Sequence, residues 1–206
     1  MKLKYILLFL LCISCNISSY NSISKDDLID KFEGFWLGQS IANWTGIVTE
    51  MDKIGEDDSP FYTRDDWGKL DQPNIWSETT QWEEINFKYA LKDSVWGSDD
   101  DTDIEYMYQE LILEHNNIIL TPNQIKNGWL KHIKHDEENF LWVSNQKAFD
   151  LMKSGILPPE TSSPNLNPFF EMIDAQLTTE IFGLFSPSYP DHALKISNLP
   201  IRTVAR

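Results

Sequence analysis

Hydrophobic and polar residues alternate along most of the chain with the spacing of a helix. Residues 24–27 (Ser-Lys-Asp-Asp) resemble a capping box, and the apolar residues Leu28, Ile29 and Phe32 follow at helical intervals. This pattern predicts a helix that begins near Ser24.

Beyond this helix start, small residues recur every four positions and one acid extends the row: Gly34, Gly38, Ala42, Gly46 and Glu50. Because the other faces are apolar, we expect a buried helix along which another backbone can approach closely.

A second pattern begins at a run of acids. Four aspartates fall within five residues, namely Asp99, Asp100, Asp101 and Asp103, and an apolar stripe of Ile104, Met107, Tyr108 and Leu111 starts at once. The stripe places Asp100 and Asp101 in the first turn of a helix whose apolar face is inward. No Lys or Arg lies between Asp93 and Leu120. Buried carboxylates need a partner, so a metal ion is one interpretation of the run.

Two other interpretations of the same residues stay open. Aspartates favour helix N-termini, where their oxygens cap free N–H groups, so the run can also be a solvated helix start. Asp99, Asp101 and Asp103 also occupy the first three ligand positions of a calcium-binding EF-hand loop, with Glu110 at the twelfth. The sixth position of that loop requires Gly for its sharp turn. It is Ile104 here, which counts against calcium-loop binding.

The rest of the chain predicts further helices and no strand hairpin. The aspartate helix should end near residues 115–117, and residues 121–124 (Thr-Pro-Asn-Gln) form a capping box that opens a helix with Ile125, Trp129, Leu130 and Ile133 inward. His132 and His135 are spaced like a pair of metal ligands on a helix, although a solvated face is the more common meaning.

Later segments follow the same rule. We expect a helix over 137–153 that buries Phe140, Leu141, Ser144, Ala148, Leu151 and Met152 and ends at Gly155. A proline- and serine-rich connection over 158–168 should lead to an apolar-faced helix over 172–185 and a short one over 190–198. Residues 55–81 read as a long aromatic loop. The predicted class is all-α.

Charge and the N-terminus restrict partners and location. The 206 residues carry 17 basic and 32 acidic side chains, a net charge of −15, which disfavours nucleic acid and anionic membranes as partners. Residues 1–15 carry two lysines, then an apolar run, and end at Cys15, as in a bacterial lipoprotein signal. We expect cleavage before Cys15, acylation of its thiol, a tether over 16–23, one domain over 24–206, and a lipid anchor in the bacterial cell envelope, on its periplasmic or surface face.

Residues 34–50 (Gly-Phe-Trp-Leu-Gly-Gln-Ser-Ile-Ala-Asn-Trp-Thr-Gly-Ile-Val-Thr-Glu), together with Asp99-Asp100-Asp101-Thr102, resemble the ADP-ribosylglycohydrolase family. Its members combine a glycine-spaced helix that ends in a glutamate with a Thr-Asp-Asp-Thr element that binds magnesium. The resemblance implies an orthogonal all-α helical bundle with two Mg²⁺ ions. It implies hydrolysis of the glycosidic bond that joins ADP-ribose, or a related ribosyl group, to a protein side chain.

The resemblance also assigns roles to residues. It implies that Asp100 and Asp101 are metal ligands, that Asp99 and Thr102 complete or orient the metal shell, and that Glu50 and Asp101 are catalytic. The family's late Asp-x-Asp-Thr element has no counterpart after Thr102, so we expect a bundle that is incomplete at the C-terminus. Its partners would be an ADP-ribosylated protein and the missing C-terminal portion of the domain. This chain alone should then bind Mg²⁺ weakly and turn over little or no substrate. A non-enzymatic lipoprotein that binds a sugar or a protein is the alternative.

Overall fold

The computed structural model describes residues 22–47, 68, 98–134 and 139–206. The chain divides into two compact units, residues 1–35 and 36–206. Of the described residues, 66% are helical and none lies in a strand, which confirms the all-α class. No helix in these described ranges is both long enough and apolar enough to cross a membrane.

The first helix, α1 (Lys25–Ile47), begins as predicted. The Ser24 hydroxyl accepts a hydrogen bond from the Asp27 backbone N–H at 3.0 Å and donates one to the Asp27 carboxylate at 2.7 Å. Reciprocal bonds of this kind satisfy the free donors at a helix start.

The prediction that α1 is buried along its small residues is wrong for the side chains that the structure describes. Leu37 and Ile41 are 62% and 55% exposed, and a Cβ atom added at Gly38 would meet no atom within 4 Å. The part of α1 that belongs to the unit over 36–206 bonds to the aspartate helix through other side chains. The Trp36 indole donates to Gln109, the Gln39 amide to Glu105, and the Asn43 amide to Asp99. These three side chains make their contacts through polar atoms, which is why the apolar spacing of the sequence did not reveal them.

Helix α2 (Asp100–His115) is the centre of the core. Its predicted stripe is confirmed, because Ile104, Met107, Tyr108 and Leu111 are all at most 3% exposed. The helix ends at Asn116, whose left-handed backbone (φ 47°) is typical of a C-terminal cap.

Helix α3 (Pro122–His132) packs against α2 and begins with the predicted capping box at Thr121. Ile125, Trp129 and Ile133 are buried as expected, whereas Leu130 is 38% exposed. The two helices approach closely at Gly128, where an added Cβ would lie only 2.4 Å from the Leu111 side chain. Any larger residue at position 128 would therefore require the buried Leu111 side chain to shift.

Helix α4 (Val143–Lys153) is shorter than the predicted helix over 137–153. Residues 139–142 are not helical, and Phe140 is 64% exposed rather than inward. The physical reason is that the Trp142 N–H donates to the Asp100 carboxylate, which holds the chain outside the helix at that point. Gly155 terminates α4 as predicted, with φ of +100°.

The proline- and serine-rich connection over 158–168 is part of the core rather than a surface loop. It contains a short 3-10 turn, Glu160–Ser162, and Thr161 and Asn167 are both fully buried. The Thr161 hydroxyl donates to the Thr203 carbonyl at 2.7 Å, and the Asn167 amide donates to the Ser144 and Thr161 carbonyls. These bonds allow polar side chains to be buried without loss of stability.

The predicted helix over 172–185 is broken in two, α5 (Asp174–Leu177) and α6 (Glu180–Leu184). Ile181 is fully buried as expected, but Ile173 is 57% exposed. The last helix, α7 (Pro190–Val204), passes the predicted end at residue 198 and contains Pro200. It packs against the 3-10 turn, α4, α5 and α6, and burial of Ile196 and Val204 holds it beyond the proline.

Candidate metal centre

Asp99 is the N-cap of α2. One of its carboxylate oxygens accepts a hydrogen bond from the Thr102 backbone N–H at 3.1 Å, and the other accepts one from the Asn43 amide. The capping interpretation of the acidic run is thus correct for this residue, and Asp99 also ties α2 to α1.

Asp100 points into the core, as the spacing of the stripe predicted, and is only 4% exposed. Its Oδ2 accepts hydrogen bonds from the Trp142 N–H at 2.5 Å and from the Asn145 amide at 2.8 Å. Burial raises the pKa of this carboxyl, while the two hydrogen bonds oppose the rise. No Lys or Arg of the described ranges forms an ion pair with it.

Asp101 is half-buried, and no described residue donates a hydrogen bond to its carboxylate. Loss of hydration raises its pKa to about 8, and the negative charges of Asp100 and Asp99 contribute in the same direction. Three neighbouring carboxylates therefore share one helix start with little to neutralise them.

Asp103 has a structural role that separates it from the other three. Its two oxygens accept hydrogen bonds from the Ser98 hydroxyl at 2.5 Å and the Asn139 amide at 2.7 Å. It fastens the segment before α2 and the segment before α4 to the same helix. Residues 100–115 are helical, so the chain after Asp99 does not form the looped conformation that a calcium-binding EF-hand requires.

A further acid, Asp174, belongs to the same cluster and was missed by sequence reasoning. It is the first residue of α5, which packs against α2, and it is 2% exposed. Its negative charge raises the pKa of both Asp100 and Asp101, so the three carboxyls lie within electrostatic range. Neither oxygen of Asp174 has a hydrogen-bond partner among the described residues. The only signal in the sequence was an acid in an otherwise apolar segment.

Glu105 is another buried acid that the pattern did not single out. It lies one turn after Asp101 and is fully buried. Its oxygens accept hydrogen bonds from the Gln39 amide at 2.6 Å and from the Ile181 N–H at 2.7 Å, so it joins α1, α2 and α6. Burial raises its pKa to about 7. The bond to Ile181 also explains the break between α5 and α6, since a carboxylate caps the start of α6.

The structure describes four of the residues that the sequence predicted for the site. Asp99, Asp100 and Asp101 lie together at the start of α2, and Thr102 faces a neighbouring cavity. Glu50 and Cys15 lie outside the described residues, as do the loop over 55–81 (apart from Gly68) and His135.

Of the two histidines spaced like metal ligands, only His132 lies within the described residues, and it is close to an acid on α2. His132 Nε2 lies 3.2 Å from a carboxylate oxygen of Glu114. Within the ranges the structure describes, no three His, Cys, Asp or Glu side chains are gathered in an arrangement that would hold an ion.

The cavity beside Thr102 has a volume of about 450 Å³. It lies between α1, α2 and the end of α3. An aromatic pair, Trp36 and Tyr106, forms part of its wall, with ring centroids 5.6 Å apart and an angle of 71° between the planes. Asp103 and Glu110 add carboxylates to the same wall. A cavity of this size, with aromatic and polar sides, is typical of a small-molecule site.

The comparisons with known proteins gave no match to any family model, any curated protein or any solved structure.

Proposed function

We propose that the chain is a metal-dependent hydrolase of the ADP-ribosylglycohydrolase type, anchored to the bacterial cell envelope through Cys15. It would cleave the glycosidic bond between ADP-ribose, or a related ribosyl group, and a protein side chain. The reaction and the bundle type come from the resemblance of residues 34–50 and 99–102 to that family. The physical support comes from the start of α2.

One observation carries the proposal. Asp100 is buried at 4% exposure beside Asp101, and no described Lys or Arg is paired with either carboxylate. Burial of ionised carboxylates costs several kcal/mol unless they are paired or bound to a cation. A divalent ion would supply the missing positive charge.

The chemistry of the donors fits magnesium. The candidate ligands are carboxylate and hydroxyl oxygens, which hard divalent cations prefer. We assign Asp100 and Asp101 as direct ligands. Asp99 already accepts hydrogen bonds at both oxygens, so it and Thr102 complete or orient the shell. Two bound Mg²⁺ ions would act as a template and charge clamp for the ribosyl group as its anomeric bond breaks.

The remaining roles fall to this chain's own side chains. Asp101 has a half-buried carboxylate that no described residue engages, which leaves it able to reach a bound substrate. Glu50, which lies outside the described residues, is assigned to gating or proton transfer by the resemblance alone. Thr102 borders the cavity of about 450 Å³, which offers space for a ribosyl group. The described acids in the wall of this cavity are Asp103 and Glu110, so Thr102 is the residue that links it to the proposed metal ligands.

The direct test measures cation binding and hydrolysis in the full chain. Titration calorimetry with MgCl₂ should give weak, saturable binding that Asp101→Asn removes, and the release of ADP-ribose from an ADP-ribosylated protein, which we expect to be slight, should require Mg²⁺. The matched control is Asp191→Asn, an exposed acid in the first turn of α7. Equal Mg²⁺ binding by Asp101→Asn and the unmodified chain would refute the site.

A second candidate function is a non-enzymatic lipoprotein that binds a sugar or a protein partner. The observation in its favour is the cavity wall, where Trp36 and Tyr106 stand beside two carboxylates. Aromatic faces with adjacent polar groups suit a sugar as well as a nucleoside. Saturable binding of a sugar that is insensitive to EDTA, without release of ADP-ribose under any metal condition, would favour this candidate over the hydrolase.

A further inference from the structure

The least satisfied polar side chain of the cluster is Asp174. It is 2% exposed, and both of its oxygens lack a hydrogen-bond partner in the described structure. An ionised carboxylate in this position would be costly without a cation. A protonated one would still need an acceptor for its hydrogen, and no described group provides one. Neither protonation state is therefore satisfied by the described residues alone.

The side chains near Asp174 also present oxygen atoms. Asp174 exerts its negative charge on Asp100 and Asp101, which lie on a different helix. Asn145 is fully buried, donates its amide to Asp100, and has its own Oδ1 without a partner. Asp174 thus lies within electrostatic range of Asp100 and Asp101, and Asn145 bonds to Asp100. Within the described structure both oxygens of Asp174 and the Oδ1 atom of Asn145 accept no hydrogen bond. Carboxylate and amide oxygens of this kind are donors that suit a hard divalent cation.

We propose that Asp174 is a cation ligand that α5 contributes to the site at the start of α2, with the Asn145 carbonyl oxygen beside it. This inference rests on the proposed cation site and deepens it. The site then draws carboxylates from two separate helices of this chain. An ion bound there would also hold α5 to α2, so cation binding and stability of the fold are coupled.

Because of this coupling, the effect of Asp174→Asn on the unfolding temperature should depend on whether Mg²⁺ is present. A purely structural role would give the same effect in both conditions. In EDTA, Asp174→Asn should unfold at the same or a higher temperature than the unmodified chain, because it removes a buried charge without a partner. In MgCl₂ the order should reverse, since the unmodified chain is stabilised by the bound ion and the variant is not. We expect Mg²⁺ affinity to fall at least about tenfold, a loss seen even for outer-shell partners.

The controls separate the two proposals. Asp191→Asn should keep the full Mg²⁺ response. If the unmodified chain shows no response to Mg²⁺, both the cation site and the role of Asp174 are refuted. If Asp174→Asn keeps the full response while Asp101→Asn loses it, only the role of Asp174 is refuted. Destabilisation of Asp174→Asn in EDTA by as much as in MgCl₂ would also refute it, because it would show a structural role.

Diffraction provides a measurement that does not depend on the variant. Crystals of the full chain soaked in MnCl₂ should show an anomalous peak at coordination distance from an oxygen of Asp174. A peak held by Asp100 and Asp101 alone would overturn the inference even if Asp174→Asn failed to fold.

Discussion

Replacement of Glu105 by glutamine should stabilise the protein above neutral pH and have little effect in mild acid. Glu105 is fully buried between three helices, and its carboxylate accepts hydrogen bonds from Gln39 and Ile181. Desolvation raises its pKa from 4.5 to about 7, and the hydrogen bonds only partly offset it. The folded state therefore binds this proton more tightly than the unfolded state.

The sign and size of the effect follow from that difference. A raised carboxyl pKa contributes stability that is fully present below pH 4.5 and is lost as the pH rises through about 7. At roughly 1.4 kcal/mol per pKa unit, the difference corresponds to about 3 kcal/mol at pH 8. The unmodified chain should thus lose stability between pH 5 and pH 8 through this residue, by about 3 kcal/mol.

Glutamine suits the site because its neighbours can accept it. The Ile181 N–H can still donate to an amide oxygen, as it now does to Glu105 at 2.7 Å. The Gln39 Oε1 atom is buried and has no partner, so rotation of the Gln39 amide would offer it to the new NH₂ group. Glu105→Gln consequently removes the charge and keeps one hydrogen bond to each neighbour, while the Gln39 NH₂ group takes the unpartnered position that its oxygen now holds.

Urea unfolding at several pH values between 5 and 8 measures the effect directly. Glu105→Gln should match the unmodified chain at pH 5 and exceed it by about 3 kcal/mol at pH 8. The control, Glu114→Gln, removes a surface acid whose pKa is lowered from 4.5 by its hydrogen bond to Lys131, so the carboxyl is ionised in both states throughout this range and the variant should differ from the unmodified chain by the same amount at pH 5 and pH 8. A Glu105→Gln variant that is destabilised equally at both ends of the range would refute the reasoning.

Two further predictions concern the core. Gly128→Ala should destabilise the fold by about 1–3 kcal/mol, because its Cβ would collide with Leu111, whereas Gly183→Ala, where an added Cβ meets nothing within 4 Å, should be neutral or stabilising. Ile104→Ala should cost about 2–5 kcal/mol, and Leu113→Ala, at a position that is 66% exposed, should change stability by no more than about 0.5 kcal/mol. Urea unfolding measures both pairs, and equal effects within either pair would contradict the packing described.

Local sequence patterns predicted the structure correctly where neighbouring residues decide it. The α2 stripe, the Thr121 capping box and the Gly155 stop each follow from a local rule, and the structure confirms all three. Such rules work because the cause lies within one or two helical turns of the effect. The start of α2 was found for the same reason, since the aspartates and the stripe are adjacent in sequence.

The errors arose where a distant polar group decided the local structure. Helix α4 starts late because the Trp142 N–H bonds to Asp100, 42 residues earlier. The segment over 172–185 breaks because Glu105, 76 residues before Ile181, caps the second piece. No local window contains both partners of such a bond, and an apolar period continues through the break without a sign of it.

The same reasoning explains why one acid of the candidate site could not be identified from the sequence. Asp99, Asp100 and Asp101 stand out because they are consecutive, whereas Asp174 is a single acid in an apolar segment and reads as the exposed side of a helix. What identifies Asp174 is burial together with two unpartnered oxygens, and both are properties of the folded chain. A polar residue that is buried and left without a partner has no stabilising role of its own in the fold. Its partner should therefore be sought beyond the described residues, and the negative charges near it favour a cation.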